Sequence, residues 1–493
     1  MQRLEERTAT SSLRTRRRPF ADGRHWLAPT CVVLALGAAS TLISMVFWPG
    51  SLDADAVGEM QEATTGHFTD WHAPVLEAIW RIAILAGLRG TGWVLLIGLF
   101  TLLIGFYLIL RVRFPRWLSV MVSILCLIFP PVLTWAVHVG ADTWFAAAII
   151  TAFGFAARSA RTTGLSRVAS VVAAIWFAGI AQAARHNAVP AVLALFITLA
   201  ALSTPARARR KKTVVCAIGI MATLSLLLVV AGVQWATRTR STNPVQATYI
   251  YDLAQLSKEE HRVLFPTSLD PSQNYAALYQ DTTVYNTNLL IFTKSATVKF
   301  FLNRHQFDQL QKAWESAVLH HPVGYLRERG RLGLWMLSIG HPSYWLFNVP
   351  LPHYPPKFLT ANKDGYQYLT YLAQGYQHEY GDFLYDGWIY ALLLVVAAIE
   401  LWRRTRCDRV IAGLAVGMLL YEVVLEFTGP GELYRYVYPM VAAGTVIFPV
   451  LLVDLISTTR SWRTKQRGTR GSPSSTPLAR TDLNEPLLES DCS

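Results

Sequence analysis

Pro49-Gly50-Ser51-Leu52-Asp53-Ala54-Asp55 follows directly on an apolar run at 27–48, and Thr69-Asp70-Trp71-His72-Ala73-Pro74 comes soon after. Ahead of the run stand Arg14, Arg16, Arg17, Arg18 and Arg24. Basic residues beside a span stay in the cytoplasm. The run therefore reads as a first transmembrane helix, and the carboxylates and histidine behind it emerge on the far face of a membrane. It is longer than the apolar core of a signal peptide, and no A-x-A site precedes the acidic loop. Carboxylates at that face, beside a bilayer able to supply a lipid-linked substrate, suggest an enzyme acting there.

The rest of the chain agrees with a membrane setting. Its 493 residues are 52% hydrophobic and 16% charged, which is rare for a soluble protein of this size. The 16 Trp and 20 Tyr suit interfacial belts. A net charge of +13 raises the question of nucleic acid. The basic clusters, however, lie in short stretches between apolar runs, where membrane orientation accounts for them and no nucleic-acid partner is needed. No Cys lies in the polar segment 237–384, and there is no CxxC or zinc spacing.

Runs long enough to span occur near 27–48, 92–110, 117–138, 143–158, 166–184, 188–204, 213–235, 385–402, 409–428 and 437–456. The expected fold is an all-α polytopic membrane protein with about ten transmembrane helices, outer juxtamembrane helices and a mainly helical extracytoplasmic domain. With the N-terminus inside, the short inner loops are 111–116, 158–167, 207–212 and 403–409, each with three or more Arg or Lys, and the tail opens with Arg460, Arg463, Lys465, Arg467 and Arg470. The alternation holds only if 73–90 does not span. That segment carries Glu77 and Arg81 and fits an amphipathic helix on the outer leaflet. The chain thus divides into a basic N-terminus (1–26), a transmembrane bundle (27–236) with an outer loop at 49–91, an extracytoplasmic domain (237–384), further spans (385–458) and a disordered cytoplasmic tail (459–493). Both termini are expected in the cytoplasm of a cell whose plasma or inner membrane holds the protein.

On this topology the unusual polar residues gather on one face: Asp53, Asp55, Asp70 and His72; Asp142; Arg185-His186-Asn187; Glu432 and Arg435-Tyr436. Ionisable residues at helix mouths are costly and point to function. Each also has a plain structural reading: Asp70 or Asp142 as a helix N-cap, Arg185 and Arg435 as interfacial anchors, and Asp53 and Asp55 as a solvated loop. The His320-His321 pair lacks a third ligand at metal spacing and reads as structural. Glycosyl transfer from a lipid phosphate suits the set. It needs a carboxylate base for the acceptor hydroxyl and arginine forks for the leaving phosphate. No Walker A or Gly-rich nucleotide fingerprint is present.

The order of basic tail, first span, acidic loop, Asp70-Trp71-His72-Ala73-Pro74 and amphipathic helix resembles the type C glycosyltransferase superfamily. Its members include the protein O-mannosyltransferases and the aminoarabinose lipid A transferases. Gly140-Ala141-Asp142-Thr143, Arg185-His186-Asn187 and Arg435-Tyr436-Val437-Tyr438-Pro439 are similar to signatures of a bacterial branch of that class. The resemblance covers residues 27–456. It implies a polyprenyl-phosphate sugar as donor, a cell-envelope glycan, lipid or protein as acceptor, and an Asp after the first span as general base: Asp55 first, Asp53 second. His72 matches the histidine of the family's His-Pro-Pro pattern, with Ala73 in place of the first proline. The acidic pair of the mannosyltransferases is missing, since Ala56 and Val57 follow Asp55. Arg185, His186 and Arg435 are then expected to bind the donor phosphate, and Asp70, His72, Asp142 and Asn187 to order the site. Tyr251 and Asp252, or Tyr325 and Arg327, are expected to meet the acceptor. Asp53-Ala54-Asp55 also reads as a DxD able to hold a divalent metal; no other cofactor is implied. Two other readings remain: a secondary transporter or flippase of an envelope precursor, which would show paired broken helices at mid-membrane, and a non-enzymatic envelope scaffold, which has no need of the acidic loop.

Overall fold

The structure is a computed structural model that describes residues 24–52, 54–72, 74–88, 90–204, 212–283, 288–291, 297–340, 382–431 and 433–470. Asp53 and Glu432 lie outside the described residues. Among the described residues there are helices and two isolated β-bridges, and no strand. In chain order the helices are α1 (Arg24–Phe47), α2 (Ala54–Thr65), α3 (Pro74–Leu85), α4 (Gly92–Leu110), α5 (Arg116–Ile128), α6 (Pro130–Ala136), α7 (Ala141–Arg161), α8 (Gly164–Ala184), α9 (Val189–Ser203) and α10 (Lys212–Ala236). They continue as α11 (Gln246–Glu259), α12 (Tyr275–Asp281), α13 (Asn288–Ile291), α14 (Arg304–His320), α15 (Pro322–Met336), α16 (Gly387–Trp402), α17 (Arg406–Thr428) and α18 (Tyr434–Arg470).

Eight of these, namely α1, α4, α7, α8, α9 with the short turn before it, α10, α17 and α18, are long and apolar enough to cross a membrane. Rows of exposed apolar side chains, such as Leu34, Leu42 and Met45 on α1 or Val168, Val172 and Trp176 on α8, suit contact with hydrocarbon. The chain is a polytopic helical membrane protein. Two of the ten expected spans take another form. The third is a pair, α5 and α6, bent by 75°. Proline has no N–H and pushes its predecessor out of the helical region. Phe129 accordingly sits at ψ 124°, before Pro130 and Pro131. The eighth, α16, has only 16 residues. The expected tail is also helical at first, because α18 runs on to Arg470.

The bundle is tightest where small residues let backbones meet. Thr151 on α7 donates its hydroxyl to the Thr101 carbonyl of α4 at 2.7 Å. A Cβ on Gly154 would lie 2.8 Å from the Leu108 Cβ and 3.2 Å from the Gly105 carbonyl oxygen. Gly154→Ala is therefore expected to cost about 1–3 kcal/mol. Gly98→Ala on α4 meets nothing within 4 Å and should be neutral or slightly stabilising. Thermal unfolding of the two variants in one detergent checks the contrast.

The two ends of the bundle differ. At one, the basic loops lock together: Arg113 Nε donates to Asp454 at 2.8 Å and its Nη2 pairs with Asp408, Arg404 reaches Asp454 at 3.2 Å, and Arg161 donates to the Arg111 carbonyl. The other end carries α2, α3 and the polar segment. That segment has its own core, built from residues such as Ile250, Leu253, Phe265, Leu269 and Leu310. Arg329, 1% exposed, joins it to the bundle. It pairs with Asp252 at 2.7 Å and donates to the Glu426 and Gly429 carbonyls at the C-terminus of α17. Cations are favoured at that helix end.

Candidate active site

The first loop is anchored at both ends. Ser51 N donates to the Val137 carbonyl at 3.0 Å, and Val139 N donates to the Ser51 carbonyl at 2.9 Å. The backbone that leaves the C-terminus of α6 supplies that partner. Gly50, at φ +99°, makes the approach feasible, for a Cβ there would lie 2.6 Å from Val139. At the far end Asp70 N and Arg240 N donate to the Arg240 and Phe68 carbonyls at 3.0 and 2.9 Å.

Held this way, Asp55 stands in the first turn of α2 with its side chain 41% exposed, and Arg435 at the head of α18 meets it, Nη1 to Oδ2, at 2.5 Å. Arg185, just after α8, donates from Nε to Asp142 Oδ1 on α7 at 2.5 Å. The other oxygen of Asp142 lies 3.9 Å from Arg435 Nε. Both guanidinium groups lie over the Tyr436 ring, each 5.2 Å from its centre. Four residues singled out from sequence thus form one cluster of two acids and two bases at one end of the bundle. Asp142 is not a helix cap: Gly140 holds that position, and the carboxylate instead pairs with the partly buried Arg185.

The other expected site residues are distributed differently. His186 is exposed on the turn between α8 and α9, outside the charge cluster. Asn187 donates to Thr428 Oγ1 at 3.1 Å and so ties that turn to the end of α17. Asp70 does not cap α3. It accepts from Ser241 Oγ at 2.8 Å and from Thr242 N and Oγ1 at 2.5 and 2.7 Å, fastening the loop to the start of the polar segment. Asp70→Ala should release this clasp and cost about 1–3 kcal/mol; faster proteolysis near 66–72, with α1 and α4 still protected, would report it. Tyr251 and Asp252 are buried, Asp252 accepting from Trp314 Nε1 at 2.8 Å as well as pairing with Arg329. They offer no surface to an acceptor, because an unpaired carboxylate at that depth would be too costly to leave free. Tyr325 packs against the same core, and Arg327 pairs at the surface with Glu259 at 2.6 Å.

Beside Asp55 lies a group that the sequence reading passed over. Asp55, Glu59 and Glu62 recur at helical spacing on one face of α2. Glu62 accepts from Thr69 N at 2.6 Å and Thr69 Oγ1 at 2.7 Å, and lies 3.2 Å from His72 Nδ1. Glu77 of α3 completes the group, 3.8 Å from the same nitrogen. Burial would raise the Glu62 carboxyl, but its bonds to His72 and Thr69 outweigh this and hold it below the usual range. Burial would lower the His72 imidazole, yet the Glu62 bond and the charges of Glu59 and Asp55 raise it. Burial, then the charges of Glu62 and Glu59, push Glu77 up to about 11. The signal in the sequence was the run of acids at i, i+4 and i+7 from Asp55.

A half-exposed carboxylate beside two arginine forks can take a proton from a nucleophile while the forks bind an anion. No family model, curated protein or solved structure matches the chain.

Proposed function

We propose that the chain is a membrane glycosyltransferase that moves a sugar from a polyprenyl-phosphate donor to a cell-envelope acceptor on the extracytoplasmic face of the plasma or inner membrane. One observation carries this reading: Asp55, Asp142, Arg185 and Arg435, from four separate elements, converge at one mouth of the bundle. In the proposed reaction the acceptor oxygen attacks the anomeric carbon, and the bond from that carbon to the phosphate oxygen breaks. Asp55 takes the acceptor proton. The polyprenyl phosphate leaves as an anion held by Arg185 and Arg435. In the structure Arg435 is engaged by Asp55. A donor phosphate competes for that guanidinium and so frees Asp55 at the moment the base is needed. Asp142 keeps both arginines in register, Asn187 steadies the turn that bears Arg185, and Asp70 and His72 hold the loop that bears Asp55.

The test is purified protein in nanodiscs, given a panel of radiolabelled polyprenyl-phosphate sugars and a cell-envelope extract. Label in a new covalent product supports the transferase. Movement of intact donor across proteoliposomes without such a product would favour the flippase, although among the described residues there is one bent pair, α5 and α6, and not the two that such a fold calls for.

A further inference from the structure

We propose that Glu62, His72 and Glu77 form a binding site for a divalent transition-metal ion, Zn2+ foremost, that clamps α2 to α3. Their ligand atoms lie within 4.8 Å of one another. One imidazole nitrogen with two carboxylates is a donor set suited to Zn2+ or Mn2+, whereas Mg2+ and Ca2+ favour oxygen alone.

Glu77 supplies the independent observation. It is 1% exposed, and beyond a contact with the Glu62 carboxyl neither of its oxygens has a hydrogen-bond partner. Two facing carboxyls at that depth are costly to ionise together unless a cation meets them. The natural helix partner of Glu77, Arg81 at i+4, does not serve. That guanidinium donates to the Ala63 and Thr64 carbonyls at the end of α2, at 3.3 and 2.9 Å. The carboxylate faces His72 and Glu62 instead. Glu62 uses one donor contact from Thr69 on each oxygen, and a carboxylate retains further lone pairs for a metal. The backbone is shaped for the arrangement: a Cβ on Gly58 would lie 2.5 Å from the His72 ring. Only glycine lets the imidazole rest on α2 at that height.

The site lies about two helical turns, roughly 10 Å, along α2 from Asp55. The ion would thus position the helix that carries Asp55 rather than touch reacting atoms. It differs from the DxD at Asp53 and Asp55, since Asp55 is already engaged by Arg435.

The measurement is metal content after dialysis of full-length protein in nanodiscs against buffered Zn2+ and, separately, Mn2+, paired with thermal unfolding. Wild type and Asp55→Asn should each retain about one equivalent and unfold at higher temperature with the ion, as expected for a ligand that binds only the folded state. Glu77→Gln, which keeps the side chain's shape, and His72→Ala should lose at least tenfold in affinity and show no ion-dependent shift. No stoichiometric ion in folded wild type would overturn the proposal and leave the two carboxyls sharing a proton. So would undiminished binding in Glu77→Gln, or binding lost only in Asp53→Asn with Asp55→Asn. None of these readouts depends on sugar transfer.

Discussion

Asp55→Asn is expected to lower sugar transfer by roughly 100- to 10,000-fold, the range that a positioned general base contributes. Asparagine keeps the shape and still faces Arg435, so folding should be unchanged, but it accepts no proton. Donor binding should hold or tighten, because Arg435 no longer has a competing carboxylate at 2.5 Å. The combination of lost turnover and retained or improved donor affinity is the signature. Loss of both would mean that Asp55 serves only to order Arg435. Transfer at wild-type rate would remove Asp55 from the chemistry. Single-turnover assays with labelled donor, beside direct donor binding, separate the three.

Arg185→Ala is expected to destabilise the protein by about 3–5 kcal/mol, since removing one partner of a buried pair leaves the other as an uncompensated charge. Asp142 is buried, and Arg435 Nε stands 3.9 Å from it, too far to replace the lost bond. On the proposed mechanism transfer should fall too, because one of the two guanidinium groups assigned to the donor phosphate is gone. The double variant Arg185→Met with Asp142→Leu tells the two effects apart. It removes both charges and should recover most of the stability, as apolar replacement of a buried pair often does. Transfer should stay low. Recovery of transfer along with stability would reduce Arg185 to a structural role. Thermal unfolding in detergent reads the first quantity and the nanodisc assay the second.

Much of the architecture was legible because hydrophobic runs and arginine placement are one-dimensional signals. All ten expected spans correspond to helices, and the basic loops 111–116, 158–167 and 403–409 do meet at one end, through Arg113, Arg161 and Arg404. The segment with Glu77 and Arg81 forms the twelve-residue α3, too short to cross, with Ile82 and Leu85 exposed and Trp80 buried. The rest was local. Pro130-Pro131 lies inside the third expected run, and the size of the turn there, 75°, came only with the fold. Glu77 and Arg81 stand at i and i+4 on one helix, a spacing at which such charges commonly pair. In the fold they part, Arg81 to the end of α2 and Glu77 into the His72 cluster. Likewise Asp252 looked available to a ligand, yet it serves Arg329 inside the packing.

From the sequence alone came the helical, multi-pass membrane character and the list of polar residues at helix mouths, because both depend on composition and on the cost of placing charge near hydrocarbon. Which of those residues act together was decided only by tertiary structure. Asp55 and Arg435 are 380 positions apart, and no local spacing encodes a pair at that separation. His186, beside Arg185 in sequence, is left exposed, while Glu62 and Glu77, on different helices, converge on one imidazole nitrogen. Ion pairing is short-ranged and directional. The partners are therefore set by how helices cross and where loops are fastened, which hydrophobic patterning leaves open.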